Sequence, residues 1–559
     1  MTEVGRERWV EVPREYNAAS HFIDRHVGEG RGGKLAYIDD RGSYTYAELV
    51  ARVNRAGNVL KRLGVEMEQR VLLCLSDGID FVALFWGVIK IGAIPVPVNT
   101  LLTPADYDFM LRDSRAKVLV VSAPLRERFE SVLGEQRFLQ HVVVCGQNAP
   151  SYESGDAAGG AASVVASETR SAAGREAASI DASRGAGEAS IANYDALAAA
   201  AAATLEAAPT VADDVALWLY SSGSTGRPKG VLHLHRSLVQ TAALYADGVL
   251  GVREDDVVFS ASKMFFAYGL GNAMSFPLHA GATAILMAER PTPDAVMRTL
   301  SKHQPTIFCG VPTLYAGILA NAVLAEAKGS ARLRICTSAG EALPEPIARR
   351  WAARFGVEIF DGLGSTEALH IFLSNRAGGI RYGSSGRGVP GYELSLRDEN
   401  GVETADGEIG DLWCRGPSIG AGYWNNREAT SRTFVGGWLK TGDKYMRAAD
   451  GYYHFAGRSD DMLKVGGIWV SPFEVETVLL EHPQVREAAV IGAADAESLM
   501  KPKAFVVLKD PGVASGALAD ELKEFVKARV APYKYPRWIE FRDELPRTAT
   551  GKLRRFELS

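Results

Sequence analysis

The residues from Tyr220 to Gly230, YSSGSTGRPKG, crowd hydroxyls, glycines and a cation into one stretch. Ser221, Ser222, Ser224 and Thr225 surround Gly223 and Gly226, and Lys229 closes the run. Glycines let successive backbone N–H groups turn toward one centre, hydroxyls add donors, and the lysine adds charge. That combination suits a polyphosphate. A Walker A loop would need Gly-Lys followed directly by Ser or Thr, which this stretch lacks. Other compact polar blocks follow: GSTE at Gly364–Glu367, GEIGDLWCRG at 407–416, TGD at Thr441–Asp443, GRSDDMLK at 457–464 and PRTATGK at Pro546–Lys552.

Such blocks need elements to hold them. The apolar run DVALWLY predicts a strand feeding the first loop. From Tyr44 to about Phe360, strand-like runs alternate with helical spacing. Thr45 and Glu48 form a capping box, and Leu49, Val53, Ala56 and Leu60 recur at helical spacing behind it. RVLLCL, AIPVPV, AKVLVVS, DVVFSA, ATAILM, TIFCGV, LRICTS and VEIFDG read as buried strands. The expected fold is α/β, a mostly parallel sheet covered on both faces, whose ligands sit beyond the strand C-termini. After about Gly379 the texture turns strand- and turn-rich. The last hundred residues read as a small α+β unit, with Leu518, Leu522, Phe525 and Val526 on one helix face. Between these regions, 151–210 has alanine at 22 of 60 positions, and up to Ser190 its bulky apolar residues are Tyr152, Val164, Val165 and Ile180. So few cannot offset the entropy of ordering it. A flexible surface insertion is expected there, part of Ala192–Ala208 helical.

The 559 residues, at ~150 per domain, suggest about three or four folding units. The formal net charge of −5 argues against non-specific nucleic-acid binding, which needs a basic face. Cys74, Cys145, Cys309, Cys336 and Cys414 are widely spaced and form no CxxC pair, so buried reduced thiols are expected. The charged N-terminus lacks the apolar core of an export signal. The run FVALFWGVIKIGAIPVPV carries Lys90 and two prolines and is too short to span a bilayer, which takes ~20 apolar residues. A cytoplasmic protein, with no membrane or nucleic-acid partner, is expected.

The phosphate-type loop and the ordered blocks after it resemble those of the acyl-adenylate-forming superfamily: acyl- and aryl-CoA synthetases, adenylation domains and beetle luciferases. The resemblance runs from about Tyr44 to the C-terminus and skips the Ala-rich segment. It implies a large N-terminal domain over 1–459, with parallel sheets and a β-rich subdomain, and a small mobile α+β C-terminal domain over 460–559. The implied cofactors are ATP, Mg²⁺ and coenzyme A. By the same resemblance, Ser221, Ser222, Gly223, Ser224, Thr225, Gly226 and Lys229 hold the β- and γ-phosphates. Thr366 touches the α-phosphate, and Thr225 and Glu367 hold the metal. Ser338, Ala339, Gly340 and Glu341, with Asp361, Gly362, Leu363, Gly364 and Ser365, surround adenine. An aromatic residue often stands where Leu363 does, so apolar contact replaces a stack. Asp443 and Arg458 bind the ribose. Asp460 is the hinge about which the small domain turns between half-reactions. Lys552 serves adenylation, bridging carboxylate and α-phosphate. Lys464 and Gly467 line the thiol tunnel on the Met462–Val470 face; Gly466 stands where many relatives have serine, which removes a hydroxyl contact there. Chemistry agrees: activating a carboxylate through AMP gathers charge at the α-phosphate, where fixed cations are needed.

The acid pocket in this superfamily is lined by the block SKMFFAYGLGN and by residues after Glu367. Phe266, Ala267, Tyr268, Gly364, Leu369, His370 and Ile371 would surround the acyl group. FFAYGLGN and ALHIFLSN resemble the corresponding blocks of benzoate–CoA ligases. That implies a flat apolar slot for a benzene ring, with 2-aminobenzoate, 4-hydroxybenzoate or a fluorobenzoate as neighbouring substrates. An enzyme loading a carrier protein is the alternative from another class. The resemblance leaves a homodimer open, and it makes Lys552 a target for a lysine acetyltransferase and deacetylase. Two patterns are read as structural: Gly416–Gly420, which fits G-x-S-x-G without the helix a nucleophile elbow needs, and His233 with His235.

Overall fold

The computed structural model describes residues 9–146, 189–221, 227–459, 461–465, 468–495, 499–531, 533–547 and 553–558, with backbone alone for Lys464, Ile468, Trp469 and Phe556. Two compact units emerge, Val12–Gly230 and Val231–Ser559 with Met1–Glu11.

In the first unit, α1 (Tyr46–Arg62) opens at the expected capping box. Glu48 N–H donates to Thr45 Oγ1 at 3.3 Å, and Thr45 N–H to Glu48 Oε2 at 2.8 Å. Its buried face carries Leu49, Val53, Ala56 and Leu60. β1 (Arg70–Cys74), α2 (Ile79–Lys90), β2 (Ile94–Pro97), β3 (Val118–Ser122), β4 (His141–Cys145) and β5 (Ser190–Asn193) follow. The sheet order is β2-β1-β3-β4-β5, parallel throughout. α2 is apolar around its whole circumference because it is buried around its whole circumference. Its buried Lys90 donates to Asp24 Oδ1 and Asn54 Oδ1, both at 2.6 Å, so the amine is not left without partners. Among the described residues no helix is long and apolar enough to cross a membrane.

The Ala-rich segment needs a correction. Residues 151–188 lie outside the described residues, but 189–210 is ordered. β5 extends the parallel sheet and leads into α3 (Tyr194–Ala199), N-capped by Asn193. Beyond it, Asn54 and Asn58 Nδ2 donate at 2.8 Å to the carbonyls of Ala203 and Ala202, and Leu205 packs where a side chain on Gly57 would stand. Alanine suits this segment because its backbone, rather than its side chains, makes the contacts. β6 (Val215–Ser221) then leads to β7 (Lys229–Leu234).

The second unit is built on β8 (Val257–Ser260), β9 (Thr283–Ile285), β10 (Ile307–Gly310), β11 (Ile335–Ser338), α4 (Glu345–Phe355), β12 (Ile359–Gly364) and β13 (Ile371–Ser374). β9-β8-β10-β11-β12 are parallel, and β13 adds antiparallel to β12. Phe259, Phe308, Tyr315 and Trp351 fill the core under this sheet. The register aligns Gly310, Ser338 and Asp361 across neighbouring strand ends. β14 (Glu393–Arg397), β15 (Ile409–Arg415), β16 (Gly422–Tyr423), β17 (Trp438–Arg447) and β18 (Tyr453–Arg458) are antiparallel, as the strand-and-turn texture implies.

The C-terminal stretch has its own α+β core. β19 (Leu463–Val465) and β20 (Ile468–Val470) form a ribbon, followed by α5 (Pro472–Leu480), β21 (Val485–Ala494), β22 (Met500–Leu508), α6 (Gly516–Lys527) and β23 (Trp538–Phe541). Leu518, Leu522 and Val526 bury against Val475, Leu479 and Val506. Arg555, near the chain end, lies between Glu476, at 3.0 Å, and Asp461, at 3.3 Å. All five cysteines are buried and unpaired.

Candidate nucleotide and acid site

The GSTE loop leaves β12 at its C-terminal end, where a parallel sheet presents its ligands. Gly364 is required there: a Cβ would stand 2.7 Å from the His370 carbonyl oxygen. The loop is fastened group by group. Ala368 N–H donates to Ser365 Oγ at 3.2 Å. His233 Nε2–H donates to the Thr366 carbonyl at 2.8 Å, and Gly420 N–H to the Glu367 carbonyl at 2.8 Å. Ser418 donates to the Ala368 carbonyl at 2.7 Å, with its own oxygen accepting from Tyr392 at 2.6 Å. Tyr423 O–H donates to Glu367 Oε1 at 2.8 Å. These bonds hold Leu369 at φ 67°, a left-handed conformation that costs a non-glycine residue about 1–2 kcal/mol. The pinned loop leaves Thr366 and Glu367 half-buried.

Two sequence patterns take their meaning from this loop. Ser418 of the G-x-S-x-G pattern is fully buried in a turn with no helix after it, and it serves as a tie to Ala368. His233 is also fully buried; burial pushes its imidazole down to about 4, so the ring is neutral and its Nε2–H can donate. Neither Tyr423 nor this use of His233 is visible in the motifs. The available signal is the strand-like alternation around GVLHL, which places His233 on an inward face.

Of the residues expected to surround purine and ribose, Ser338 ends β11 and pairs in register with Asp361, the third residue of β12. Both are buried, and Ser338 Oγ and Asp361 Oδ1 have no hydrogen-bond partner among the described residues. Burial pushes the Asp361 carboxyl well above the usual carboxylate range. Gly340 follows at φ 96° with open space where a side chain would be. Unpaired donors and acceptors beside an open backbone fit the edge of a base. Leu363 faces Leu373 in the strand pair. Asp443 on β17 and Arg458 on β18 meet at 2.9 Å. Gly442, at φ 76°, allows this: a Cβ there would lie 2.8 Å from the Arg458 guanidinium. Arg547, in the block that ends at Lys552, stands 3.9 Å from Glu341 and 2.7 Å from Glu487.

Two of the residues expected to line the acid pocket, Tyr268 and His370, lie in a cluster of rings. His370 packs against Phe276, Tyr245 and Tyr268, with ring centroids 4.4, 5.3 and 5.6 Å away, and edges onto Gly271. Its Nε2–H donates to the Tyr268 carbonyl at 3.3 Å, while Nδ1 has no partner among the described residues. Burial pushes this imidazole down to about 3. Tyr268 bonds Thr337 through its hydroxyl at 2.7 Å. Ala267 and Ile371 are also buried, and Phe266 is half-buried against Phe265. The structure thus brings Tyr268 and His370 into contact, with Ile371 next in the chain and His370 held by packing.

In the other unit, Ser221 ends β6 with its Oγ buried and without a hydrogen-bond partner among the described residues, and Lys229 begins β7. Ser222, Gly223, Ser224, Thr225 and Gly226 lie outside the described residues. So do Asp460, Gly466, Gly467, Lys552 and the side chain of Lys464. Among the described residues, the donor expected for a hard cation is the Glu367 carboxylate. Glu367 has Oε1 engaged by Tyr423, and Oε2 accepts no hydrogen bond from the described residues. A single free carboxylate oxygen fits magnesium, which keeps several waters and binds beside phosphates.

Residues 24–424 match the AMP-binding enzyme family, and 474–552 match the C-terminal domain of AMP-binding enzymes. The chain belongs to the AMP-binding enzyme family. It is 55% identical to the benzoate–CoA ligase of Thauera aromatica over 98% of this chain and 97% of that one. It is 47% identical to the 4-hydroxybenzoate–CoA/benzoate–CoA ligase of Rhodopseudomonas palustris over 98% and 94%. A benzoate CoA ligase from Burkholderia xenovorans, solved by crystallography, superposes with a TM-score of 0.84 at 49% identity, covering 97% of this chain and 99% of that one.

Proposed function

We propose that this chain is an AMP-forming benzoate–CoA ligase. In the first half-reaction a benzoate oxygen attacks the α-phosphorus of ATP, and pyrophosphate leaves. In the second, the coenzyme A sulfur attacks the acyl carbon of benzoyl-AMP, AMP leaves, and the thiol proton passes to solvent. The observation that carries this reading is the 55% identity to a benzoate–CoA ligase over nearly the whole of both chains. The cluster of rings around His370 supports it, since a flat apolar acid suits such surroundings.

The residue roles follow on the same reading. Ser221, Lys229 and the loop between them grip the terminal phosphates. Glu367, with Thr225, holds a magnesium ion, which supplies charge neutralisation beside the phosphates when bound. Thr366 orients the α-phosphate from a loop that cannot relax away, and fixed donors are worth most where charge develops. Asp443 and Arg458 take the ribose hydroxyls. Lys552 serves adenylation, and Asp460 is the pivot that then exchanges it for the Lys464–Gly467 tunnel, which makes 460–559 the mobile domain. Arg547 beside Glu341 supports a C-terminal block that reaches the adenine loop. Acetylation of Lys552 would remove its charge and stop the first step. The buried unpaired cysteines support a cytoplasmic compartment.

The test is AMP release with and without coenzyme A across benzoate, 2-aminobenzoate, 4-hydroxybenzoate, 2-fluorobenzoate and fatty acids. Coenzyme-A-dependent AMP release highest with benzoate is the expected result. Equal kcat/KM for benzoate and a long-chain fatty acid would sink it. A second reading, turnover of 4-hydroxybenzoate alongside benzoate, is favoured by the 47% identical relative, and the same panel separates the two.

A further inference from the structure

Glu367 is gripped twice by one segment. Gly420 N–H takes its carbonyl, and three residues on Tyr423 O–H takes Oε1, each at 2.8 Å. Tyr423 is itself immobilised. It lies on β16, which pairs Tyr423 with Val231 and Gly422 with Leu232 of β7. Its N–H donates to Thr430 Oγ1 at 3.0 Å, and its ring edges onto Phe434 with centroids 5.3 Å apart. Val231 and Ala429 complete the cluster, leaving the tyrosine 6% exposed. A free glutamate loses rotamer entropy when a ligand fixes it. Here the phenol fixes it beforehand through Oε1, and Oε2 accepts no hydrogen bond from the described residues.

We propose that Tyr423 is a positioning residue for the first half-reaction. Its phenol sets the Glu367 carboxylate so that Oε2 is the oxygen offered to the divalent cation carried in with the triphosphate. This rests on the reading of Glu367 as a metal-holding residue. Groups that orient a metal ligand typically change metal affinity by 10–100-fold when removed.

The test uses the full-length enzyme with a non-hydrolysable ATP analogue, and Mn²⁺ as an electron-paramagnetic probe. Tyr423→Phe keeps the ring and its packing. The expected result is a 10–100-fold weaker Mn²⁺ dissociation constant, with affinity for the metal-free analogue unchanged. Adenylation kcat should recover at high Mg²⁺, while thioester formation from synthetic benzoyl-AMP is unaltered. A purely structural role would lower kcat at every Mg²⁺ concentration, and that outcome overturns the proposal. Glu367→Gln separates the two layers. If it abolishes Mn²⁺ binding while Tyr423→Phe leaves it intact, the positioning role falls and the metal assignment stands. If Glu367→Gln itself leaves Mn²⁺ binding intact, the metal assignment falls, and the proposal with it.

Discussion

Thr366–Glu367 and His370 are neighbours in sequence, yet they are held by opposite means. The first pair is fixed through hydrogen bonds: the carbonyls of Thr366, Glu367 and Ala368 and one Glu367 oxygen each have a donor from a distant residue. His370 is fixed by three rings and a glycine backbone, with one polar contact at 3.3 Å and Nδ1 unpaired. The strained Leu369 lies between the two regimes. The chemistry of the two ligands accounts for the contrast. A phosphate-transfer site must present fixed dipoles to developing charge, and any group free to turn away loses that stabilisation. A benzene ring offers no charge to read, so its pocket selects by shape. On the proposed function, one loop serves electrostatics at its start and sterics at its end.

If electrostatic fixing is what adenylation requires, removing the cation proposed for that step should cause the largest loss. Lys552→Ala should slow the first half-reaction by roughly 10²–10³-fold, comparable to deleting an oxyanion donor at ~2.7–4 kcal/mol. The second half-reaction, started from synthetic benzoyl-AMP and coenzyme A, should stay within about tenfold, or ~1.4 kcal/mol. Stopped-flow measurement of each step decides. Equal slowing of both would remove the distinction between the two steps and with it the domain-alternation reading.

The next effect isolates the steric half. The His370 imidazole titrates near 3 when folded, against 6.5 unfolded. The unfolded chain therefore binds the extra proton first. The stability due to the neutral ring is complete above about pH 6.5 and is lost as pH falls from there toward 3, at up to about 1.4 kcal/mol per pH unit. His370→Gln should flatten the decline of Tm between pH 6.5 and 4 relative to the parent enzyme. Parallel Tm–pH curves for the two proteins would contradict the buried, neutral ring.

A smaller effect tests shape itself. His370→Ala opens space behind the ring site, so para-substituted benzoates should gain kcat/KM relative to benzoate by roughly tens of fold. That matches the ~1–3 kcal/mol that one methylene-sized misfit is worth. Unchanged para discrimination would show that Tyr268 and Ile371 set the wall without His370.

Much of this arrangement is legible in the residues. Parallel strands announce themselves as short apolar runs, and the polar blocks fall at their C-terminal ends, so Asp361, Gly364 and Thr366 can be placed in advance. The ties behind the loop cannot. Tyr423 meets β7 across nearly the width of a domain in sequence, and a two-residue strand has no periodicity to betray its partner. His233 and Ser418 sit in patterns that suggest metal binding and hydrolysis. Their actual work, donating to carbonyls, leaves no mark on residue spacing. The expectation of a flexible insertion fails over Ala189–Thr210 for a related reason. Its alanines bury little, but its backbone completes a sheet edge and satisfies Asn54 and Asn58.

The smallest effect is expected from a segment that belongs to neither half of the comparison. Residues 147–188 connect β4 to β5, which run parallel with His141 opposite Ser190. A parallel pair needs a connection that returns along the strand, so a hairpin-length link cannot replace the segment. Five strand residues span about 17 Å at ~3.3 Å each, and a Gly/Ser bridge of about a dozen residues covers that with slack. Each halving of loop length returns only about 0.6 kcal/mol of closure entropy. The shortened enzyme should therefore melt at the same temperature or slightly higher, with kcat/KM for benzoate and the para discrimination both unchanged. A bridge of two or three residues should instead unseat β5, and with it α3 and the carbonyls that Asn54 and Asn58 use. If the dozen-residue bridge also lowers Tm, the segment contributes contacts beyond closing the chain. If it changes the para discrimination at constant Tm, the acid pocket depends on more than the rings around His370.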